Sequence, residues 1–131
     1  MYLLDSNTCI QFLNGRSAPI ERRLMGTKPS EIKLCSVVKA ELWYGAERST
    51  KAAAVRTKLT AFFAPYDSLP FDDLAAVEYG RIRGQLAEAG APIGPNDLMI
   101  AAITRGRGLT LVTHNTREFS RIRGLSIEDW E

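Results

Sequence analysis

Short strand-like runs alternate along the chain with segments in which apolar residues recur at helical spacing. The runs of strand length are Leu3–Leu4, Ile32–Cys35, Asp67–Pro70 and Leu109–Thr113. Each is separated from the next by a longer segment whose apolar positions fall three or four residues apart. Parallel strands need such helical connections, so the alternation predicts an α/β fold built on a mostly parallel sheet.

The first two predicted helices have recognisable ends. We expect the first to start just after Asp5, with Ser6 or Asn7 as its N-cap. The second should run from about Pro19 to Met25, because proline is favoured at the start of a helix and the glycine that follows Met25 interrupts it.

Later helices are predicted from the same signals, with Ser36 and Thr50 as candidate N-caps. These helices run from Ser36 to about Arg48, from Thr50 to about Phe63, from Asp72 through Leu86 to a stop at Gly90, and onward from Asp97. The turn-rich tract Gly90–Asn96 predicts a loop that leads into the last of them.

At 131 residues the chain has the commonest size of a single domain, and we expect residues 1–131 to form one domain. The formal net charge is only +2, but most of the cationic residues are Arg. Arg is suited to bidentate phosphate binding, although the same charges also suit an ordinary solvated surface. The composition therefore leaves nucleic-acid binding open.

Two cysteines, Cys9 and Cys35, lie in apolar segments. They lack the paired short spacing of a zinc site and are too few for a disulfide framework, so we expect buried, reduced thiols. The chain does not open on a basic stretch followed by a long apolar one, and no segment reaches the roughly 20 apolar residues of a membrane span. We expect a cytoplasmic protein without a membrane partner.

Three acidic residues stand within or beside apolar segments: Asp5 after the first strand, Glu41 inside a helix, and Asp97 at the start of the last long helix. Carboxylates rarely stay buried without a partner. If the fold brings these three together, protonation or a cation must relieve their repulsion, and an all-oxygen cluster suits Mg²⁺ or Mn²⁺. That arrangement indicates metal-assisted chemistry on phosphate esters.

Each carboxylate also has a simpler explanation. Asp5 lies at the carboxyl end of a strand, where open parallel sheets bind ligands, but an N-cap or an Asx-turn residue fits the same position. Glu41 shares a helix face with Val37 and Tyr44, which directs it toward the core unless the helix is rotated and Glu41 is a surface residue. For Asp97, the simpler role is to complement the helix macrodipole.

A second group of polar residues follows the last predicted strand, in Thr113–Phe119. In this segment, Glu118 is either a fourth carboxylate of the site or a surface residue at the start of a helix. His114 is the only histidine, and no G-x-S-x-G nucleophile elbow is present. The chain therefore does not favour a Ser-His-Asp or Cys-His mechanism.

Four segments form a combination that is more specific than any one motif: Leu4–Asn7, Val37–Gly45, Gly94–Ala102 and Val112–Phe119. In this order they resemble a PIN-domain ribonuclease, and most closely the VapC toxin family. The resemblance covers essentially the whole chain, including its ending Gly124–Trp130. It implies a three-layer α/β/α sandwich around the sheet, a homodimer, and neutralisation by a VapB-type antitoxin whose tail enters the active-site groove. It also implies an RNA substrate, since relatives within the family cut the anticodon stem-loop of initiator tRNA.

The resemblance assigns the family's first three acidic residues to Asp5, Glu41 and Asp97. Many PIN domains place a fourth acid after the fourth strand, where this chain has Asn115. Asn115 could still ligate through its carbonyl oxygen or hold a water, and Glu118 could restore the missing charge. A second metal site is therefore left open.

The expected reaction is hydrolysis of an RNA phosphodiester, with Mg²⁺ held by Asp5 and Asp97 and with Glu41 orienting a water. A haloacid-dehalogenase-type phosphatase also uses an Asp after its first strand, but it needs a second Asp where this chain has Asn7. A PIN-fold binding module that regulates through partners is the other alternative, and the departure at Asn115 is its best support.

Overall fold

Five short strands form one sheet in the computed structural model, which describes residues 1–131. The strands are β1 Tyr2–Leu4, β2 Ile32–Cys35, β3 Asp67–Leu69, β4 Thr110–Val112 and β5 Ser126–Glu128. They lie in the order β3-β2-β1-β4-β5, and every neighbouring pair is parallel. In the centre of the sheet, Leu3 pairs with Lys33 on one side and with Leu111 on the other. The predicted α/β fold with a parallel sheet is confirmed.

Seven helices connect and cover these strands. They are α1 Ser6–Leu13, α2 Ala18–Met25, α3 Ser36–Arg48, α4 Ala52–Phe63, α5 Asp73–Glu88, α6 Pro95–Gly106 and α7 Thr116–Phe119, and a 3₁₀ turn covers Pro29–Glu31. Consecutive residues of β1, Leu3 and Leu4, are both almost completely buried, so helices cover both faces of the sheet. This is the predicted three-layer α/β/α sandwich. No helix has the length and apolar character needed to cross a membrane.

The predicted N-cap of the first helix is wrong. The N-cap of α1 is Asp5, whose Oδ1 accepts a hydrogen bond from the backbone N–H of Thr8 at 2.9 Å, and not Ser6 or Asn7. Asp5 has extended backbone angles and is the single residue between the end of β1 and the start of α1.

The two other predicted N-caps, Ser36 and Thr50, are also wrong. Ser36 is the first residue inside α3, and Cys35 is its N-cap without a side-chain bond. Helix α4 begins after its N-cap residue Lys51, whose backbone N–H donates to the hydroxyl of Ser49 in the preceding turn. Thr50 therefore lies in that turn and caps nothing.

Strand β5 was not predicted. Only Ile127 of its three residues is apolar, and all three are exposed or half-buried, so the segment lacks the run of apolar residues by which the central strands are recognised. They become a strand only because β4 offers a free edge on which they pair in parallel. Pairing partners of this kind are distant in the sequence and are not encoded locally.

The core lies on both sides of the sheet and includes Cys9 and Cys35, which are buried free thiols as expected. Burial raises the pKa of Cys9 well above its ordinary value and that of Cys35 to about 11, so both remain protonated at neutral pH. The prediction that both cysteines are buried is confirmed.

An aromatic cluster fills the space between α3 and α4. Trp43 meets Phe63 edge to face with ring centroids 5.3 Å apart, and Phe62 packs beside both Phe63 and Tyr66. The chain therefore covers most of its own aromatic surface here. Tyr44 is the exception, since 64% of its surface is exposed.

Candidate active site

The carboxyl ends of β1 and β4 meet at the centre of one sheet edge. Asp5 follows β1, and its backbone N–H donates to the carbonyl oxygen of Val112 at 3.1 Å. Thr113 follows β4 and is completely buried. These residues lie where open parallel sheets bind ligands, as the sequence predicted for Asp5.

Asp5 is almost fully buried, at 6% exposure. Burial raises the pKa of Asp5 above its ordinary value, while hydrogen bonds from the Thr113 and Thr8 side chains and from the Thr8 backbone oppose the rise, and the charge of Glu41 adds to it. The N-cap explanation for Asp5 is thus correct in structural terms. It does not exclude a chemical role, because an N-cap uses only one of the two carboxylate oxygens.

Glu41 reaches this edge from α3. Its Oε1 accepts a hydrogen bond of 2.6 Å from the hydroxyl of Ser6, the first residue of α1. The side chain is half-buried and is close enough to Asp5 to raise the pKa of that carboxyl group. Glu41 is therefore directed toward the sheet edge, and the surface-residue alternative does not describe it.

Asp97 lies in the first turn of α6, which begins at Pro95. Residues on nearly every side of this helix are buried, as the sequence predicted. The pKa of Asp97 is raised to about 6, mainly by burial and then by the charges of Glu118, Glu41 and Asp5, in that order. The shift indicates that four carboxylates share one neighbourhood.

Asn115 and Glu118 complete the group from the loop after β4 and from α7. The side-chain amide of Asn115 donates to Glu118 Oε2 at 3.1 Å, and its backbone N–H donates to the hydroxyl of Thr113 at 3.0 Å. Asn115 is exposed and Glu118 is half-buried. Glu118 belongs to the same electrostatic environment as Asp97, as a fourth carboxylate of the site would.

Ser6 and Thr113 are site residues that the sequence reasoning missed. Ser6 orients Glu41, while Thr113 connects Asp5 to Asn115 by contacting both. Each hydroxyl directly follows or nearly follows a strand end at the ligand-binding edge. That position was the available signal, but Ser and Thr are common in such turns, so it was weak.

The donors at this edge are all oxygen atoms, which fits Mg²⁺ or Mn²⁺ rather than a softer metal ion. Burial and then neighbouring negative charge raise the pKa of Asp97, and a divalent cation would neutralise that charge. The carboxylates are nevertheless more widely spaced than a closed metal cage. In the whole chain, the one group of three metal-binding side chains with donor atoms within 4.8 Å of one another is His114, Asp129 and Glu131.

That second group lies on the surface and has a structural explanation. Nδ1 of His114 is 2.9 Å from Asp129 Oδ2 and 2.8 Å from Glu131 Oε2. The hydrogen bond with Asp129 and the charge of Glu131 raise the pKa of His114. The contacts fasten the last residues of the chain to the loop after β4, and they place His114 outside the carboxylate group.

Comparisons with known proteins agree with this geometry. A model of the PIN domain matches residues 2–125. The chain is 40% identical to "tRNA(fMet)-specific endonuclease VapC" of Shigella flexneri over 98% of this chain and 97% of that protein. It is 35% identical to "Ribonuclease VapC2" of Rickettsia felis over 100% of this chain and 98% of that protein.

Solved structures of the same kind superpose closely. A DNA-bound VapBC complex from Salmonella typhimurium contains a chain that matches with a TM-score of 0.94 at 39% identity, covering 99% of this chain and 98% of that one. The VapBC2 complex of Rickettsia felis, bound to a DNA fragment from its promoter, matches with a TM-score of 0.93 at 34% identity and the same coverage.

Proposed function

Because this chain belongs to the VapC family of PIN-domain ribonucleases, we propose that it is a divalent-metal-dependent endoribonuclease, the toxin of a toxin–antitoxin pair, folded as one domain over residues 1–131. The observation that carries the proposal is the electrostatic coupling of Asp97 to Glu118, Glu41 and Asp5 at the carboxyl edge of the sheet. Carboxylates that destabilise one another in this way are typical of functional sites.

The roles of the residues follow from their contacts. Asp5 and Asp97 would hold the metal ion, Mg²⁺ or Mn²⁺, and Glu41 would add a third carboxylate from α3. When bound, such an ion supplies a Lewis acid that polarises a phosphoryl oxygen and lowers the pKa of a water.

The neighbours of these carboxylates act by orientation. The Thr8 amide and the Thr113 hydroxyl fix the plane of the Asp5 carboxylate. The Ser6 hydroxyl fixes Oε1 of Glu41, which leaves Oε2 free to orient the attacking water and to accept its proton.

The substrate we propose is RNA, and specifically tRNA. The Shigella flexneri relative is named as specific for tRNA(fMet), and 40% identity over nearly the whole chain supports the same substrate class here. Initiator tRNA, cut in its anticodon stem-loop, is the proposed target, and the cytoplasm is the proposed place of action. The many Arg side chains suit phosphate contacts.

The proposed partners are a VapB-type antitoxin and a second copy of the chain. The neighbouring structures from Salmonella typhimurium and Rickettsia felis are complexes of VapB with VapC, which supports an antitoxin for this chain as well. The homodimer rests on the family resemblance and on the exposed Tyr44, since the other large aromatic side chains of that region are covered.

The direct test is incubation of the antitoxin-free protein with total RNA, followed by mapping of new RNA ends. We expect discrete ends with Mg²⁺ or Mn²⁺ and none in EDTA, because the carboxylates alone cannot neutralise a scissile phosphate. Absence of cleavage in either condition would favour the binding-module alternative. Hydrolysis of a simple phosphate monoester without RNA cleavage would favour the phosphatase alternative, in which the exposed Asn7 stands at the second Asp position.

The departure at Asn115 leads to a second prediction. Glu118→Gln should raise the Mg²⁺ concentration needed for half-maximal cleavage by about tenfold, because it removes the charge that acts most strongly on Asp97 while Gln keeps an acceptor for Asn115. Titration of cleavage rate against Mg²⁺ measures this.

Asn115→Asp is the matched variant, since it adds a carboxylate against Glu118 instead of removing one. It should change the Mg²⁺ requirement little if Glu118 already supplies the fourth charge. If Glu118→Gln had the Mg²⁺ requirement of the wild type and Asn115→Asp had a lower one, Glu118 would be excluded from the site.

A further inference from the structure

Asn115 connects two carboxylates of the candidate site. Its side-chain amide donates to Glu118 Oε2 at 3.1 Å. Its backbone N–H donates at 3.0 Å to the hydroxyl of Thr113, which also contacts Asp5. A shift of Asn115 would therefore disturb a hydrogen bond at each of these carboxylates, and such bonds orient the groups that hold a metal ion.

Burial fixes both ends of the segment that carries Asn115, but not its middle. Thr113 is completely buried and Phe119 is almost completely buried. Asn115 is exposed, and the helix that follows it, α7, has only four residues. A single helical turn is not stable by itself, so the position of Asn115 depends on contacts with other parts of the chain.

His114, the residue before Asn115, makes such a contact with residues 129–131. Its Nδ1 lies 2.9 Å from Asp129 Oδ2 and 2.8 Å from Glu131 Oε2. An ionised carboxylate can only accept a hydrogen bond, so Nδ1 carries the proton and donates it. The other oxygen of Asp129, Oδ1, accepts the backbone N–H of Glu131 at 3.0 Å. Both oxygens of Asp129 are thus engaged, which fixes the plane of the carboxylate that holds the imidazole.

Trp130 anchors these two carboxylates to the sheet. Its side chain is 3% exposed and its ring meets Tyr2 of β1 edge to face, with centroids 5.2 Å apart. The guanidinium carbon of Arg23 lies 4.8 Å from the centre of the Trp130 ring. Asp129 and Glu131 flank Trp130 in the chain, so neither can move far while the indole stays buried. The imidazole is therefore held by a segment that is itself packed against the first strand.

The contacts of His114 matter for position more than for stability. Exposed ion pairs add little to stability, and 60% of the His114 side chain is exposed. In contrast, a displacement of about 1 Å in a group that orients a reacting site can lower a rate about 100-fold. The main effect of these contacts is therefore expected on the placement of the adjoining Asn115.

We propose that His114 is a positioning residue of the carboxylate site. Its contacts with Asp129 and Glu131 hold the chain so that the Asn115 amide orients Glu118. The imidazole acts only through Asn115 and takes no part in the chemistry. The proposal rests on the proposed function, in which Glu118 is the fourth carboxylate.

The first test exchanges the imidazole for a side chain that keeps the donor. Asparagine places its amide N–H near the position of Nδ1, so His114→Asn should retain the contact with Asp129, whereas His114→Ala loses it. His114→Ala should raise the Mg²⁺ concentration for half-maximal cleavage about tenfold and change the maximal rate less than about twofold, and His114→Asn should stay within about twofold of wild type in both. Asp67→Ala is the matched control, because it removes another exposed pair, with Lys33 at 2.9 Å, in the edge strand β3.

The second test determines whether the effect passes through Glu118. In a Glu118→Gln background, His114→Ala should cause no further change, because substitutions that act on the same group are not additive. Calorimetry with Mn²⁺ and no RNA should show the same pattern of lost and restored affinity without relying on cleavage. The melting temperature of His114→Ala in EDTA should fall no more than that of Asp67→Ala.

Three results would overturn the positioning role. Equal loss of Mn²⁺ affinity in His114→Asn and His114→Ala would do so, because the imidazole itself would then be required. Full additivity of His114→Ala with Glu118→Gln would also do so, as would an unchanged Mg²⁺ requirement and Mn²⁺ affinity in His114→Ala. Restored Mn²⁺ affinity in His114→Asn, in a protein that never cleaves RNA, would support the positioning role and contradict the proposed nuclease function.

Discussion

Replacing Asp97 by asparagine should reduce RNA cleavage by more than about 100-fold while leaving the protein folded. Loss of a metal-binding carboxylate removes several kcal/mol of transition-state stabilisation, and each 1.36 kcal/mol corresponds to a tenfold change in rate. Asparagine has nearly the same shape as aspartate, so the first turn of α6 should not change. Initial rates of cleavage with Mg²⁺ measure the effect.

The same substitution should stabilise the metal-free protein at neutral pH. The pKa of Asp97 is raised from 3.8 to about 6 in the folded protein, so the folded state binds a proton that the unfolded chain has already released between these values. The wild type therefore loses stability as the pH rises from about 3.8 to about 6, and remains less stable above that range. Asparagine cannot ionise and avoids this loss.

Thermal unfolding in EDTA tests the pH dependence. The difference in melting temperature between Asp97→Asn and the wild type should be positive above about pH 6 and should shrink toward zero as the pH falls to about 3.8. Asp73→Asn is the matched control, because Asp73 also lies in the first turn of a helix but is exposed, and its neighbour Asp72 pairs with Arg107 at the opposite end of α6 from Asp97. It should lower stability slightly through the helix macrodipole and leave cleavage unchanged. Full activity of Asp97→Asn would exclude Asp97 from the site.

Replacing Asp5 should separate its structural role from its chemical one. Asp5→Asn keeps a side-chain oxygen for the Thr8 amide but removes the negative charge, so we expect a folded protein whose cleavage rate falls by more than about 100-fold. Asp5→Ala should be equally inactive but less stable than Asp5→Asn by about 0.5–2 kcal/mol, because it removes the N-cap of α1.

Urea unfolding of both variants, together with cleavage assays, checks this prediction. Removal of a buried charge would by itself stabilise the metal-free protein. The N-cap bond of the structure opposes that gain, because alanine leaves the buried amide of Thr8 without an acceptor. If Asp5→Ala proved as stable as Asp5→Asn, the N-cap would contribute nothing to stability. Full cleavage activity of Asp5→Asn would show that the Asp5 charge is not needed for catalysis.

The fold class and the central part of the site were determined by the sequence itself. The central strands and the long helices were visible because their apolar periodicity is local and strong. Asp5, Glu41 and Asp97 stood out for a related reason, since a carboxylate inside an apolar segment needs an explanation that a surface carboxylate does not.

Only the tertiary structure decided which polar groups meet those carboxylates. Thr113 reaches Asp5 because β4 pairs with β1, and Ser6 reaches Glu41 because α1 packs beside α3. Strand β5 likewise exists only through its pairing with β4. These contacts join residues far apart in the chain, and neither the Ser and Thr hydroxyls nor the mixed residues of β5 form a distinctive pattern in the sequence. Local periodicity determines the elements, whereas the partners of each side chain depend on which elements pair and pack.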